Sequence, residues 1–160
     1  MQALVRPARP DDVPRMLELV RELALFERAP EQVTVTLEHM RDAGFGPKAV
    51  WTGWVAELDG TIQGLAVCYE RYSTWKGRRL YLEDIVVTEA ARGQRIGERL
   101  FLACVQHAVE QGHNGMLWQV LDWNAGAIRF YERFGAAFAK EWLNGSLERE
   151  QLEALASRKP

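Results

Sequence analysis

Apolar and polar positions along the chain follow two periods, and the switches between them predict its elements. After a short strand candidate, ALVRPA, the segment RPDDVP puts acidic residues at a helix start, where carboxylates complement exposed amide groups and the helix dipole. Val13, Met16, Leu17, Val20, Leu23 and Ala24 then recur at helical spacing, predicting a first helix from about Asp12 to Leu25. TLEHMRDAGFG predicts a shorter second helix closed by Gly44 and Gly46, and FERAPEQ is a polar loop between the two. WTGWVAEL and TIQGLAVCYERY flank Asp59-Gly60, the strongest short hairpin signal in the chain. The next strand, RLYLEDIVV, loses clean alternation beyond Leu82, which predicts burial on both faces. It carries Glu83 and Asp84 among apolar neighbours, and charge in such a strand needs a reason.

Helical spacing returns with Ile96, Leu100, Phe101, Cys104, Val105 and Ala108 and stops at Gly112. GMLWQVL predicts another strand, and DWNAGAIRFYERFGA a helix capped by Asn124 and stopped by Gly135. AFAKEWLNGSL reads as a short strand or two, and EREQLEALA as an amphipathic end. The order βααβββαβαβ predicts an α/β (α+β) fold, with a mixed central β-sheet flanked by helices on both faces. A chain of 160 residues supports one core, so residues 1–160 are expected to form a single domain.

Composition excludes several classes. Hydrophobic residues at 48% and charged residues at 26% are the balance of a globular protein, not of a disordered or fibrous one. A formal net charge of -2 supplies no bulk basic field, so no nucleic-acid partner is expected. No apolar run approaches the ~18 residues of a membrane span, and the first residues lack a secretory pattern. The expectation is a cytoplasmic protein with no membrane partner. Cys68 and Cys104 lack C-x-x-C spacing and His39, His107 and His113 are scattered, so no metal site is expected.

The stretch ARGQRIGERL, residues 91–100, joins the buried strand to a helix. Such a turn exposes unpaired backbone amides at the positive end of the helix dipole, where a phosphate binds readily. Gly93 and Gly97 permit close approach, and Arg92 and Arg95 offer charge-assisted contacts. Alone, the stretch reads more readily as an ordinary helix start. G-x-G-x-x-G and G-K-[ST] are both absent, which leaves another pyrophosphate cofactor, coenzyme A, as the candidate.

YLEDIVVTEAARGQRIGERL together with VLDWNAGAIRFYERFGA resembles the GNAT superfamily of acetyl-CoA-dependent N-acetyltransferases. RPARPDDVPRMLELVRELALFE, AGFG, YSTWKGRRLYLED and LDWN are similar to its spermidine/spermine acetyltransferase branch, especially the thialysine N-ε-acetyltransferase members, from about Leu4 to Ala156. The resemblance implies acetyl-CoA as co-substrate, with Arg92, Gly93, Gln94, Arg95, Ile96 and Gly97 holding its pyrophosphate through backbone amides. It further implies that Ile85, Val86 and Val87 pair with the pantetheine arm, that Asn124 lies near that arm, and that Tyr131 protonates the CoA sulfur. Glu83 is implied as acceptor of the amine proton, directly or through water, and Phe26, Glu27, Trp75, Glu83 and Asp84 as the lining of the amine site. A homodimer acting on a small-molecule amine completes the expectation. Polyamine or protein amines are the alternative substrates, and a non-catalytic acyl-CoA-binding module is the remaining reading.

Five positions sharpen these expectations. The family usually has glycine where Arg95 stands; a first-turn helical residue has negative φ, so arginine is expected to be accommodated there without cost. In a regular strand Glu83 and Asp84 point to opposite faces, so one of them faces the amine unless a bulge intervenes. The polyamine enzymes carry aspartate where Ser73 stands and tyrosine where Phe26 stands. Loss of that carboxylate favours a lysine-like or other small primary amine over a long polycation.

Overall fold

The computed structural model describes residues 2–158. Two compact units emerge, Met1–Leu121 and Asp122–Pro160. In the first, strand β1 (Leu4–Pro7) leads into helices α1 (Val13–Phe26) and α2 (Leu37–Phe45), then strands β2 (Thr52–Leu58), β3 (Thr61–Ser73) and β4 (Gly77–Val87), helix α3 (Ile96–Glu110) and a short strand β5 (Met116–Leu117). The five strands lie in the order β1-β2-β3-β4-β5, antiparallel except for the parallel β4–β5 pair. Asp59 and Gly60 both take positive φ, 51° and 74°, the backbone that closes a two-residue hairpin with the twist of its strands.

Side-chain alternation assigns the two faces of this sheet. Val55, Leu65, Val67 and Val86 pack in one cluster with Val13, Met16, Leu17 and Leu19 of α1 and Met40 of α2. On the other face lies α3: Cys104 and Cys68 bring their buried thiols within 3.4 Å, and the His107 ring stands 5.0 Å from that of Trp54. Gly64 is needed for this approach, because a Cβ there meets the Val86 carbonyl at 2.9 Å and the Leu100 side chain at 3.1 Å. Helices thus cover both faces of a mixed sheet, as the element order predicts.

The start of α1 is tied to the sheet by charge. Arg6 on β1 donates to Asp12 at 2.7 Å and to Glu57 on β2 at 3.0 Å, and Asp12 is buried. The hydrogen bond from Arg6 holds the Asp12 carboxyl below the usual carboxylate range, against the opposing effect of burial.

Two predicted strands depart from expectation. GMLWQVL is strand only at Met116–Leu117, paired through Leu80↔Met116 and Tyr81↔Leu117. Just beyond these pairs β4 carries a bulge, between its partners for Val67 and Cys68, and a bulge bends and twists its strand out of register with a straight neighbour. The β5 side of β4 from Leu82 to Val87 therefore has no strand partner among the described residues.

The second unit contains helix α4 (Ala125–Glu132) and helix α5 (Arg149–Ala156). AFAKEWLNGSL between them forms no strand, contrary to the sequence expectation. Every described residue from position 139 onward is exposed, so no buried face exists to fix a strand register there. No helix among the described residues is long and apolar enough to cross a membrane.

Candidate active site

The bulge on β4 decides where its two carboxylates go. Val67 pairs with Asp84 and Cys68 with Leu82, which leaves Glu83 as the extra residue. Below it, Tyr81 pairs with Tyr69, and their rings lie 5.1 Å apart on the face that α1 covers. Tyr69 donates its hydroxyl to Glu83 Oε2 at 3.1 Å, so Glu83 turns to that same face. Asp84 stands two residues before Val86, a member of the α1 cluster, and faces the same way. The expectation that a regular strand sends the pair to opposite faces is thereby corrected: one inserted residue brings both carboxylates to one side.

Electrostatics confirms the crowding. Burial, then the charge of Glu83, then that of Glu27 push the Asp84 carboxyl up to about 7. Glu27 follows the last turn of α1, and burial raises its carboxyl also. Tyr69 is pushed up to about 12 by burial, by the charge of Glu83 and by the hydrogen bond to it. Three acidic side chains, from the end of α1 and the middle of β4, thus influence one another over a floor of two tyrosines. A concentration of negative charge of this kind attracts a cation, and its raised carboxyl is the mark of a group held where ionisation is costly.

The turn between β4 and α3 has the geometry of an anion cradle. Gly93 has φ 81° and nothing within 4 Å of the position its Cβ would take. Arg95 is the N-cap of α3, and its side chain caps no amide, so the first-turn amides after it have no side-chain acceptor. Ile96 buries its side chain and Gly97 is half-buried, while Arg92, Gly93, Gln94 and Arg95 are exposed. The Arg92 guanidinium donates to the Val87 carbonyl at 3.2 Å and stacks 5.5 Å above the Phe26 ring, joining the loop to the end of α1. These open amides, with the unpaired edge at Ile85, Val86 and Val87, fit an extended ligand carrying a pyrophosphate.

Arg95 departs from expectation. Its φ is 59° and ψ 19°, the left-handed region, where glycine is at ease and a Cβ is crowded by the following carbonyl. Its side chain pairs with Glu98 at 3.0 Å instead of capping the helix. The negative φ expected of a first-turn residue fails because Arg95 precedes the first helical residue.

Trp75 lies in the β3–β4 turn, 87% exposed, and its amide and that of Lys76 donate to the Ser73 hydroxyl. The turn is thus held by Ser73, and Trp75 is not gathered with the acidic cluster. Asn124 and Tyr131 belong to the second unit. Asn124 Oδ1 accepts from the Ala127 amide at 3.2 Å, the predicted cap, and Tyr131 is buried with its ring against Phe130. Tyr69 and Tyr81 escaped the sequence reading, although a two-residue period along β3 and β4 counts both toward the face of Glu83. Among the described residues no group of His, Cys, Asp or Glu is arranged to hold a metal ion.

Comparison with known proteins bears on this arrangement. The model of the acetyltransferase (GNAT) family matches residues 14–136. A thialysine N-epsilon-acetyltransferase of Mus musculus is 35% identical, the match covering 96% of this chain and 97% of that protein. The L-ornithine N5-acetyltransferase NATA1 of Arabidopsis thaliana is 25% identical, covering 97% of this chain and 88% of its own length. Among solved structures, an integron cassette protein from the mobile metagenome of V. cholerae superposes with a TM-score of 0.80 over 99% of each chain at 18% identity, which shows the shared fold. The chain belongs to the acetyltransferase (GNAT) family and is an N-acetyltransferase.

Proposed function

We propose that this enzyme moves the acetyl group of acetyl-CoA directly to the primary amine of a small molecule, a thialysine-like or lysine-like amine or diamine. Glu83 acts as general base and Tyr131 as general acid. The observation that carries the reading is the turning of Glu83 and Asp84 to one sheet face by the β4 bulge, with Glu27 of the α1 end near enough for its charge to act on Asp84. Acetyltransferase relatives named for thialysine and ornithine support the small-amine class.

The amine arrives as an ammonium, and the acidic face draws it in. Nucleophilic attack needs its lone pair, and deprotonating a group of pKa ~10.4 at pH 7 costs about 4–5 kcal/mol. Glu83, exposed and oriented by Tyr69, stands where it can take that proton directly or through one water. Asp84 and Glu27 hold the cation beside it, and the arriving positive charge favours the ionised form of Asp84. Phe26 forms the apolar rim, braced by Arg92, and Trp75 stays outside it in the β3–β4 turn. Bound acetyl-CoA supplies an activated acyl thioester. Arg92, Gly93, Gln94, Arg95, Ile96 and Gly97 bind its pyrophosphate, Ile85, Val86 and Val87 receive the pantetheine arm with Asn124 near it, and Tyr131 delivers a proton to the departing sulfur.

Residues 1–160 act as one acetyltransferase domain in a cytoplasmic homodimer. The exposed Trp142 and Leu143, at 73% and 95%, support pairing through the C-terminal segment. Ser73, which ties the β3–β4 turn with its hydroxyl, leaves the site without a further carboxylate for a long polycation. A panel of amines assayed with acetyl-CoA by thiol release tests the reading. Thialysine or lysine is expected to exceed spermidine in kcat/KM; spermidine as the best substrate reverses it.

A further inference from the structure

Beyond the acidic cluster, the same sheet face carries a cation that the transfer chemistry does not use. Arg71 on β3 lies two residues past Tyr69, and its guanidinium stands 5.6 Å from the centroid of the Tyr81 ring. It is exposed, and among the described residues no carboxylate forms an ion pair with it. Arg78, near it on β4, is by contrast bound to Glu70 at 2.8 Å. Arg71 is directly paired with Arg79, so no acid lies opposite it across the strands. One face therefore runs from a guanidinium, over two tyrosines, to three carboxylates.

We infer that Arg71 is a specificity-determining residue that receives an anionic group at the far end of the amine substrate, so that the site takes ω-amino acids in preference to diamines. The inference rests on the reading of Glu27, Glu83 and Asp84 as the amine site. Arg71 pairs with Arg79, four residues before Glu83 and at most about 14 Å from it at ~3.4 Å per residue, and its guanidinium reaches back over the Tyr81 ring, so the opposite charges are spaced for an aliphatic chain bearing an amine at one end and a carboxylate at the other. A guanidinium offers a planar fork to a carboxylate, and the Tyr81 ring beneath orients that fork. A diamine meets the same guanidinium with like charge. The chain thus selects for one substrate end and against the other on a single surface.

L-lysine and L-lysinamide, which differ only in the carboxylate, separate the two parts of the argument. With acetyl-CoA saturating and ε-acetylation verified by mass spectrometry, the wild type is expected to favour lysine in kcat/KM by about tenfold or more, through KM, the scale of one charge-assisted contact. Arg71→Gln is expected to raise KM for lysine about tenfold while lysinamide changes less than twofold, and Arg71→Lys to restore part of the loss. Equal effects on both amines mean that the guanidinium only packs on Tyr81, and overturn the inference. A wild type that acetylates both equally well overturns the inference and leaves the amine site standing. A wild type that acetylates neither overturns the amine site and the inference with it.

Discussion

Asp84→Asn is expected to stabilise the protein, increasingly so as pH rises above the unfolded value of 3.8. Burial and the charges of Glu83 and Glu27 raise the carboxyl from 3.8 to about 7 in the folded chain. A group raised on folding contributes its full stability below the unfolded value and loses it as pH rises through the folded value. With 1.36 kcal/mol for each unit, the loss is complete near pH 8 and amounts to about 4 kcal/mol. Close to 2 kcal/mol has gone by pH 5, so about 2–3 kcal/mol disappears between pH 5 and pH 8. Asparagine keeps the shape of the protonated acid and cannot ionise. Urea unfolding of both proteins at the two pH values measures the effect, and the gap in unfolding free energy between variant and wild type is expected to widen by about 2–3 kcal/mol at pH 8. Parallel pH profiles would show that Asp84 ionises freely, and the crowded acidic face would not exist.

Three further outcomes follow from the loop and the second unit. Gly93→Ala is expected to cost about 1 kcal/mol, because φ of 81° rather than lack of space is what the glycine supplies, and to weaken acetyl-CoA binding; thermal unfolding with and without acetyl-CoA reads both. Arg95→Gly relieves a left-handed backbone worth ~1–2 kcal/mol, against about 0.2–0.5 kcal/mol for the Glu98 pair and ~0.4–1 kcal/mol of unfolded-chain entropy. Its denaturant midpoint is therefore expected to hold or rise slightly, and a clear fall would show that the arginine side chain contributes to the loop. Tyr131→Phe is expected to lower kcat by ~10²–10⁴-fold with little change in the amine KM, as loss of a general acid requires; unchanged turnover in steady-state assays contradicts the role.

Local signals in the sequence located most of the first unit. The first helix, expected over Asp12 to Leu25, runs Val13–Phe26, because a long apolar stripe and an acidic start agree with each other. Asp59-Gly60 likewise carries its own turn chemistry. What escaped depends on partners distant in the chain. The bulge that turns Glu83 toward Tyr69 exists only in the pairing of β4 with β3, fourteen residues away along the chain at that contact. Arg95 hides a left-handed backbone because arginine, unlike glycine or asparagine, gives no sign of one. The brevity of β5 reflects the same bulge, while AFAKEWLNGSL carries apolar residues but leaves everything from position 139 exposed, so no buried face fixes a strand there. The residue types of the acidic site were visible; their convergence was a property of register.

The central claim is that Glu83, carried by the bulge and oriented by Tyr69, takes the proton from an amine during acetyl transfer. Thiol release measured for wild type and Glu83→Gln across pH 6 to 10, with acetyl-CoA and amine saturating, tests it directly. The account predicts a fall in kcat of roughly 10²–10⁴-fold at neutral pH, recovering toward high pH as solution deprotonates the amine. A variant that keeps kcat within threefold of wild type throughout contradicts it.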